Sequence, residues 1–385
     1  MTRVARDASS AKSPSMILPG LLPEGYRDRL PPEADASARL VRCVLDTATG
    51  YGYERVSPPL AEFEDGLRAG LKTASVQDLL RFVDPVSQRT MAIRPDITTQ
   101  VGRIAATRMA HHPRPLRLSY GGPVLRLKAT QLRPEREMMQ VGAELIGLDT
   151  VAAALEIVSV AVEALSRAGV SGVTVDFTLP DLVDHLSAGP LPLEAGAVSE
   201  IRALLDAKDA GGLVARGGAA FLPLIEAAGT FDAAIARLRT FDTQGALASR
   251  LDGLERIAAA IRDKVAITLD PTERHGFEYQ NWFGFSLFAE GVSGEIGRGG
   301  SYSIVHPDGR EEPAIGFSLY CDPLVDAGLA AEARRRLFVP FGADPAEAAR
   351  LREQGWVTVA ALTEDDSPAA QICSHILRDG APQAL

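Results

Sequence analysis

The sequence predicts an α+β fold: an antiparallel sheet flanked by helices, with a helical insertion and a small α/β region at the C-terminal end. Three observations predict it. Short strand-like runs bounded by turn residues cluster between residues 53 and 177 and again between 265 and 291. From about Pro180 to Arg262 the texture changes to Ala- and Leu-rich helical segments punctuated by Gly. From about Arg334 a strand, a helix and a strand alternate.

Composition sets the outer bounds. A chain of 385 residues, 46% hydrophobic and 23% charged, is long enough for two or three domains with full cores. Its net charge of −10 argues against a dedicated nucleic-acid binder, which carries a basic surplus. No apolar run reaches the roughly 18 residues that a membrane helix needs. Cys43, Cys321 and Cys373 lie far apart, so neither a disulfide framework nor a metal site is expected, and the reducing cytoplasm is the expected location. Residues 1–17 are small, polar and mildly basic and read as a disordered tail.

After the turn-like Leu22–Tyr26, Pro31 and Pro32 precede a helix over about 33–49, with Leu40, Val41, Val44, Leu45 and Ala48 as its apolar stripe. Tyr53–Ser57 is a short strand stopped by Pro58 and Pro59. Leu79–Ile93 reads as a hairpin turning at Asp84-Pro85. Asp96 can cap a helix running to about Met109. PLRLSY and PVLRL are the next strands, and Glu137–Gly147 follows. A helix over 151–167 and a strand over 173–177 close the first part of the core, which spans 18–179. The insertion occupies 180–262, the second part of the core 263–330, and the α/β region 331–385. In the second part, Val265–Asp270 and Phe277–Gly291 are strands, and GEIGRGGSYS (Gly294–Ser303) reads as a Gly-rich turn leading to Tyr302.

The segment Glu137–Gly147 carries the chemistry. Strand alternation sends Met139, Val141, Ala143 and Leu145 to an apolar face that packs on helices. The other face holds Met138, Gln140, Gly142, Glu144 and Ile146. A carboxylate and an amide on either side of a bare glycine suit a ligand with an ammonium or N–H donor, because Gly142 would let it approach the sheet. The plainer alternative is the wet face of an edge strand. Nearby lie IRPDITTQVGR, Arg126 before a charged loop, and the aromatic HGFEYQNWFGF.

Taken in order, these pieces resemble the catalytic domain of class II aminoacyl-tRNA synthetases of the histidyl type. More closely, they resemble the paralogous family of ATP phosphoribosyltransferase regulatory subunits. The resemblance covers about Leu18 to Leu324. VSPPLAEFEDGL stands at the dimer-forming first motif, with its proline at Pro58 or Pro59. GPVLR…EREMMQVGAE stands at the second, and AIGFSLYCDPL at the third. IRPDIT and HGFEYQ match the histidyl signatures. By this resemblance Asp96 and Thr98 meet the α-amino group of histidine. Gln140 and Glu144 complete the amino and imidazole contacts, Tyr279 lines the ring pocket, and Arg126 meets the carboxylate.

Departures from the enzyme pattern decide the function. The third motif of a synthetase ends in a Glu-Arg pair whose arginine grips the phosphates of ATP; here it reads Asp322-Pro323. Lys128 replaces an acidic residue that reads adenine, and His275 stands where an activating arginine is expected, with Arg274 one residue earlier. Activation of an amino acid needs fixed positive charge around the phosphates. The resemblance therefore implies a chain with no catalytic residues, no cofactor and no tRNA. Its expected partner is the short-form catalytic subunit of ATP phosphoribosyltransferase, joined in a hetero-oligomer, with homodimerisation through the first motif and histidine as the effector. Two other readings stay open: a divergent amino-acid-activating enzyme, and an amino-acid sensor with another partner.

Overall fold

The first long element shows how the sequence builds its layers. In the computed structural model, helix α1 (Glu33–Gly50) starts with Glu33 and Asp35 in its first turn, where negative charge complements the helix dipole. Leu40, Val44, Leu45 and Ala48 form its buried stripe. The chain leaves the helix through Gly52, whose φ of +85° suits glycine. The structure describes residues 20–68, 79–127, 135–274, 280–329 and 334–385. The expected tail over 1–17, Lys128, His275 and Tyr279 lie outside them.

Strands β1 (Glu54–Arg55) and β2 (Ala61–Phe63) flank Pro58 and Pro59, and helix α2 (Glu64–Arg68) follows. The hairpin expected around Asp84 forms from β3 (Leu80–Val83) and β4 (Thr90–Ile93), and β4 also pairs with β2. Helix α3 (Thr98–Ala106) is shorter than predicted; Ile97 occupies its N-cap position, and the Asp96 carboxylate accepts the N–H of its first residue, Thr98.

PLRLSY and PVLRL form one strand, β5 (Leu116–Leu125), not two. It pairs antiparallel with β6 (Glu137–Ile146) without a break, from Leu116↔Ile146 to Leu125↔Glu137. Gly121 and Gly122 permit close packing rather than a turn. A side chain at Gly121 would press on Val41, and one at Gly122 would overlap the Arg94 guanidinium.

Helix α4 (Val151–Arg167) is capped by the Thr150 hydroxyl, and β7 (Val173–Thr178) follows it. The helical stretch then comprises α5 (Leu182–Ser187), α6 (Ala195–Asp206), α7 (Ala210–Ala215) and α8 (Leu222–Glu226). The short β8 (Gly229–Thr230), α9 (Phe231–Phe241) and α10 (Ala248–Ile261) complete it. Strands β9 (Ala266–Leu269), β10 (Gln280–Ala289), β11 (Gly297–Val305) and β12 (Glu311–Tyr320) return to the sheet, and α11 (Cys321–Asp326) ends this unit.

The main sheet has nine strands in the order β1-β5-β6-β12-β11-β10-β7-β9-β8. Its centre, β5 to β7, is antiparallel throughout. Here the expected Gly-rich turn before Tyr302 is corrected: Gly297, Gly299 and Gly300 lie inside β11. A side chain at Gly299 would meet the Gly316 carbonyl and the Phe285 ring, so the glycines let neighbouring side chains cross the strand.

One sheet face is covered by α1 and α4, which pack on Val141, Ala143 and Leu145 as the alternation predicts. The opposite face packs Met138 and Ile146 with Ile97, Val101, Tyr120 and Tyr302. The functional residues lie on this second face.

The chain divides into two compact units at residues 330 and 331. The second unit contains β13 (Arg336–Val339), α12 (Pro345–Glu353), β14 (Val357–Ala360), β15 (His375–Arg378) and β16 (Ala381–Ala384). Leu337, Val339, Ala348, Leu351 and Leu377 form its core.

Candidate functional site: a polar cleft on the central sheet

Asp96 lies between β4 and α3, where the chain turns over the sheet. One carboxylate oxygen accepts the Thr98 N–H at 2.7 Å, and the other accepts the Gln140 side-chain amide at 2.7 Å. The same Gln140 nitrogen reaches Ser318 Oγ at 2.8 Å, and Gln140 Oε1 accepts the Ile97 N–H at 2.9 Å. Gln140 is thus buried and fully engaged within the protein.

Glu144 is also buried, and both its oxygens are taken. Tyr120 donates to Oε1 at 3.0 Å and Tyr302 to Oε2 at 2.9 Å. The Tyr120 hydroxyl also lies 3.1 Å from Thr98 Oγ1 and 2.8 Å from Ser318 Oγ. Tyr120, Gln140 and Glu144 therefore form one network with Asp96, Thr98 and Ser318. Burial pushes the Glu144 carboxyl up to about 8; the bonds from Tyr302, Tyr120 and Thr98 oppose the shift, and the Asp96 charge adds to it. Burial likewise raises Tyr120 well above its ordinary value, and the Glu144 charge reinforces this.

The expected role of Gly142 is corrected. A side chain there would lie 2.7 Å from the Tyr120 hydroxyl and overlap the Phe317 carbonyl. The bare backbone seats a tyrosine, so the space over it is already filled.

Asp96, Thr98, Glu144, Arg298, Ser318 and Tyr320 line a cleft of about 30 Å³. That volume holds water, whereas drug-sized ligands fill pockets of about 300–1,000 Å³. An amino acid entering here must displace side chains. Its walls are of opposite sign. Among the described residues neither Asp96 nor Glu144 forms an ion pair, whereas Arg298 pairs with Glu295. Half-buried Arg126 stands just past β5, with its guanidinium carbon 5.7 Å from the centre of the Tyr320 ring.

The structure brings Asp96, Thr98, Gln140 and Glu144 together, with Arg126 on the Tyr320 ring. Reasoning from sequence missed Tyr120, Tyr302 and Ser318 as site residues. Their one advance signal was strand alternation, which places Tyr120 on the same face as Leu116 and Leu118; the rest required knowing the register.

At the end of β12 the third motif is also resolved. Asp322 accepts the Met139 N–H at 2.7 Å and the Arg29 Nε–H at 3.2 Å. Pro323 sits in the first turn of α11, where its missing N–H costs nothing. An acid tied to Arg29 and β6 followed by a proline presents no cation at position 323. The Arg274 backbone N–H is held by Asp206 at 2.7 Å. Among the described residues no cluster of His, Cys, Asp and Glu is arranged for a metal, and no helix is long and apolar enough to cross a membrane.

Sheet and cleft together define a synthetase-like fold with a polar cleft on its central strands. The family model described as histidyl-tRNA synthetase matches residues 25–324. A relative from Rhodospirillum centenum, named ATP phosphoribosyltransferase regulatory subunit, is 44% identical over 97% of this chain and 97% of its own. A Bacillus halodurans structure described as an ATP phosphoribosyltransferase regulatory subunit/histidyl-tRNA synthetase shares the fold, with a TM-score of 0.74 and 23% identity. It covers 94% of this chain and 97% of that one. A chain of the ATP phosphoribosyl transferase complex from Thermotoga maritima also shares the fold, with a TM-score of 0.58 and 16% identity. It covers 74% of this chain and 97% of that one. The chain belongs to the histidyl-tRNA synthetase-like family of ATP phosphoribosyltransferase regulatory subunits.

Proposed function

We propose that this chain acts as a non-catalytic regulatory subunit with a separate short-form catalytic subunit of ATP phosphoribosyltransferase, in the first step of histidine synthesis. We place the complex in the cytoplasm and the homodimer contact on the surface around Pro58 and Pro59. Histidine is the effector, and the cleft is its site. Asp96 faces the ammonium group, Glu144 the imidazole and Arg126 the carboxylate, with Thr98 and Tyr279 completing the contacts and Gln140 holding the Asp96 carboxylate in place. A half-buried carboxyl group at Asp96 and a buried one at Glu144, neither in an ion pair among the described residues, favour a ligand that brings positive charge.

The observation that carries the regulatory reading is the third motif. Asp322 is committed to Arg29 and the Met139 N–H, and Pro323 offers no charge for the phosphates of ATP. Membership of the family supports the same conclusion. The test is histidine-dependent exchange between pyrophosphate and ATP, run beside sedimentation of the chain with a short catalytic subunit. The expected result is no exchange and a joint complex. Exchange at enzyme-like rates, or two species that sediment apart at micromolar concentration, contradicts the reading.

A further inference from the structure

Arg94 is a buried cation held mainly by carbonyl groups. It is 4% exposed. Its Nε donates to the Pro123 carbonyl at 2.8 Å, and its Nη1 donates to the Pro58 carbonyl at 2.9 Å and more weakly to that of Pro59 at 3.5 Å. Nη1 also lies 3.4 Å from Gln100 Oε1, and Gln100 donates in turn to the Pro59 carbonyl at 2.9 Å. The main chain of Arg94 is fixed as well. Its N–H donates to Leu60 at 3.0 Å, and its carbonyl accepts from Leu125 at 3.0 Å. The guanidinium occupies the space beside Gly122 that a side chain would fill. Among the described residues no carboxylate pairs with it directly. Burial lowers its pKa, and the Asp96 charge, two residues along, opposes that shift.

We propose that Arg94 is the positioning residue of the cleft: it clamps the turn bearing Asp96 to the 58–60 segment and to β5, and so holds the Asp96 carboxylate ready for a ligand's ammonium group. The ligand half of this inference rests on the effector reading above. A guanidinium suits the task because its planar fan of donors can bridge carbonyls from separate segments, whereas a lysine ammonium is a compact point charge on a flexible stem. The clamp also ties the cleft to the turn that carries Pro58 and Pro59, so a contact made on that turn bears on Asp96.

Two variants test the clamp from different sides. Arg94→Lys keeps the charge and removes the fan, and Gly122→Ala keeps the arginine but displaces its guanidinium. Hydrogen exchange of the full chain is read at the Ile97 and Thr98 amides, which donate to Gln140 and Asp96. Both amides are expected to exchange at least about tenfold faster in each variant, with strand β7 unchanged, as in a local opening. Affinity for histidine should fall about tenfold, while deamino-histidine, which lacks the ammonium group, should change less than about twofold. Unchanged exchange at Ile97 and Thr98 in both variants overturns the proposal, and so does equal loss of the two ligands. Global unfolding of both variants overturns it too, because Arg94 would then serve the fold as a whole. Faster exchange in a chain whose wild type binds no histidine supports the clamp and removes the effector reading instead.

Discussion

Tyr120 lies across Gly142 and its hydroxyl meets Glu144 Oε1 at 3.0 Å. The two residues come from adjacent antiparallel strands, and Tyr120 is the cross-strand partner of Gly142 itself. A bulky donor on β5 and a bare position on β6 together bring a buried carboxyl within reach of a phenol. The same hydroxyl touches Thr98 and Ser318, so one tyrosine links α3, β6 and β12.

Gly142→Ala should destabilise the unit. The new methyl overlaps the Phe317 carbonyl and crowds the Tyr120 hydroxyl. Overpacking a filled site costs about 1–3 kcal/mol. Urea unfolding of the variant should show that loss, and a midpoint equal to wild type would place the Tyr120 ring elsewhere.

Tyr302→Phe should cost about 1–3 kcal/mol, because it leaves Glu144 Oε2 buried without its donor. The double variant Tyr302→Phe/Glu144→Gln should lose less than the two single losses added together, since the pair is in contact. Strict additivity in the unfolding free energies would separate the two groups.

Stability should depend on pH through Glu144. Its folded pKa is raised from 4.5 to about 8, so the folded state holds the proton more tightly than the unfolded chain. The stabilising contribution is fully present below about pH 4.5 and is lost as pH rises through about 8. Glu144→Gln removes this slope. The difference in unfolding free energy between wild type and variant, measured across pH 4.5–8, should shift steadily against wild type as pH rises. A flat difference would mean that Glu144 is ionised throughout.

How much of this could be read beforehand depended on whether the cue was local. Alternation along β6 separated Gln140 and Glu144 from the apolar face because period two is written into one strand. Their partners were hidden, since Tyr120, Tyr302 and Ser318 come from three other strands and meet only through register. Glycine was the least legible residue. At Gly142 openness suggested a ligand, and at Gly297–Gly300 it suggested a turn, yet both positions make room for neighbouring strands and side chains. One local signal went unread: Asp379-Gly380, both at positive φ, forms the two-residue turn between β15 and β16.

Above about pH 8, where Glu144 is ionised, Glu144→Gln should weaken histidine binding about ten- to a hundred-fold, since hydrogen bonds to charged groups are worth roughly 1.5–3 kcal/mol. Calorimetry giving equal affinity for both forms would remove Glu144 from the effector site.

The most direct measurement is phosphoribosyltransferase turnover of the short catalytic subunit with and without this chain, titrated with histidine. The chain alone should show no turnover, its addition should raise that of the catalytic subunit, and histidine should lower it again. Such control requires histidine to bind the inhibited arrangement better than the active one, typically by about 5–150-fold. Complexes carrying Glu144→Gln should need correspondingly more histidine. If the catalytic subunit neither binds this chain nor gains turnover from it, the regulatory assignment is wrong.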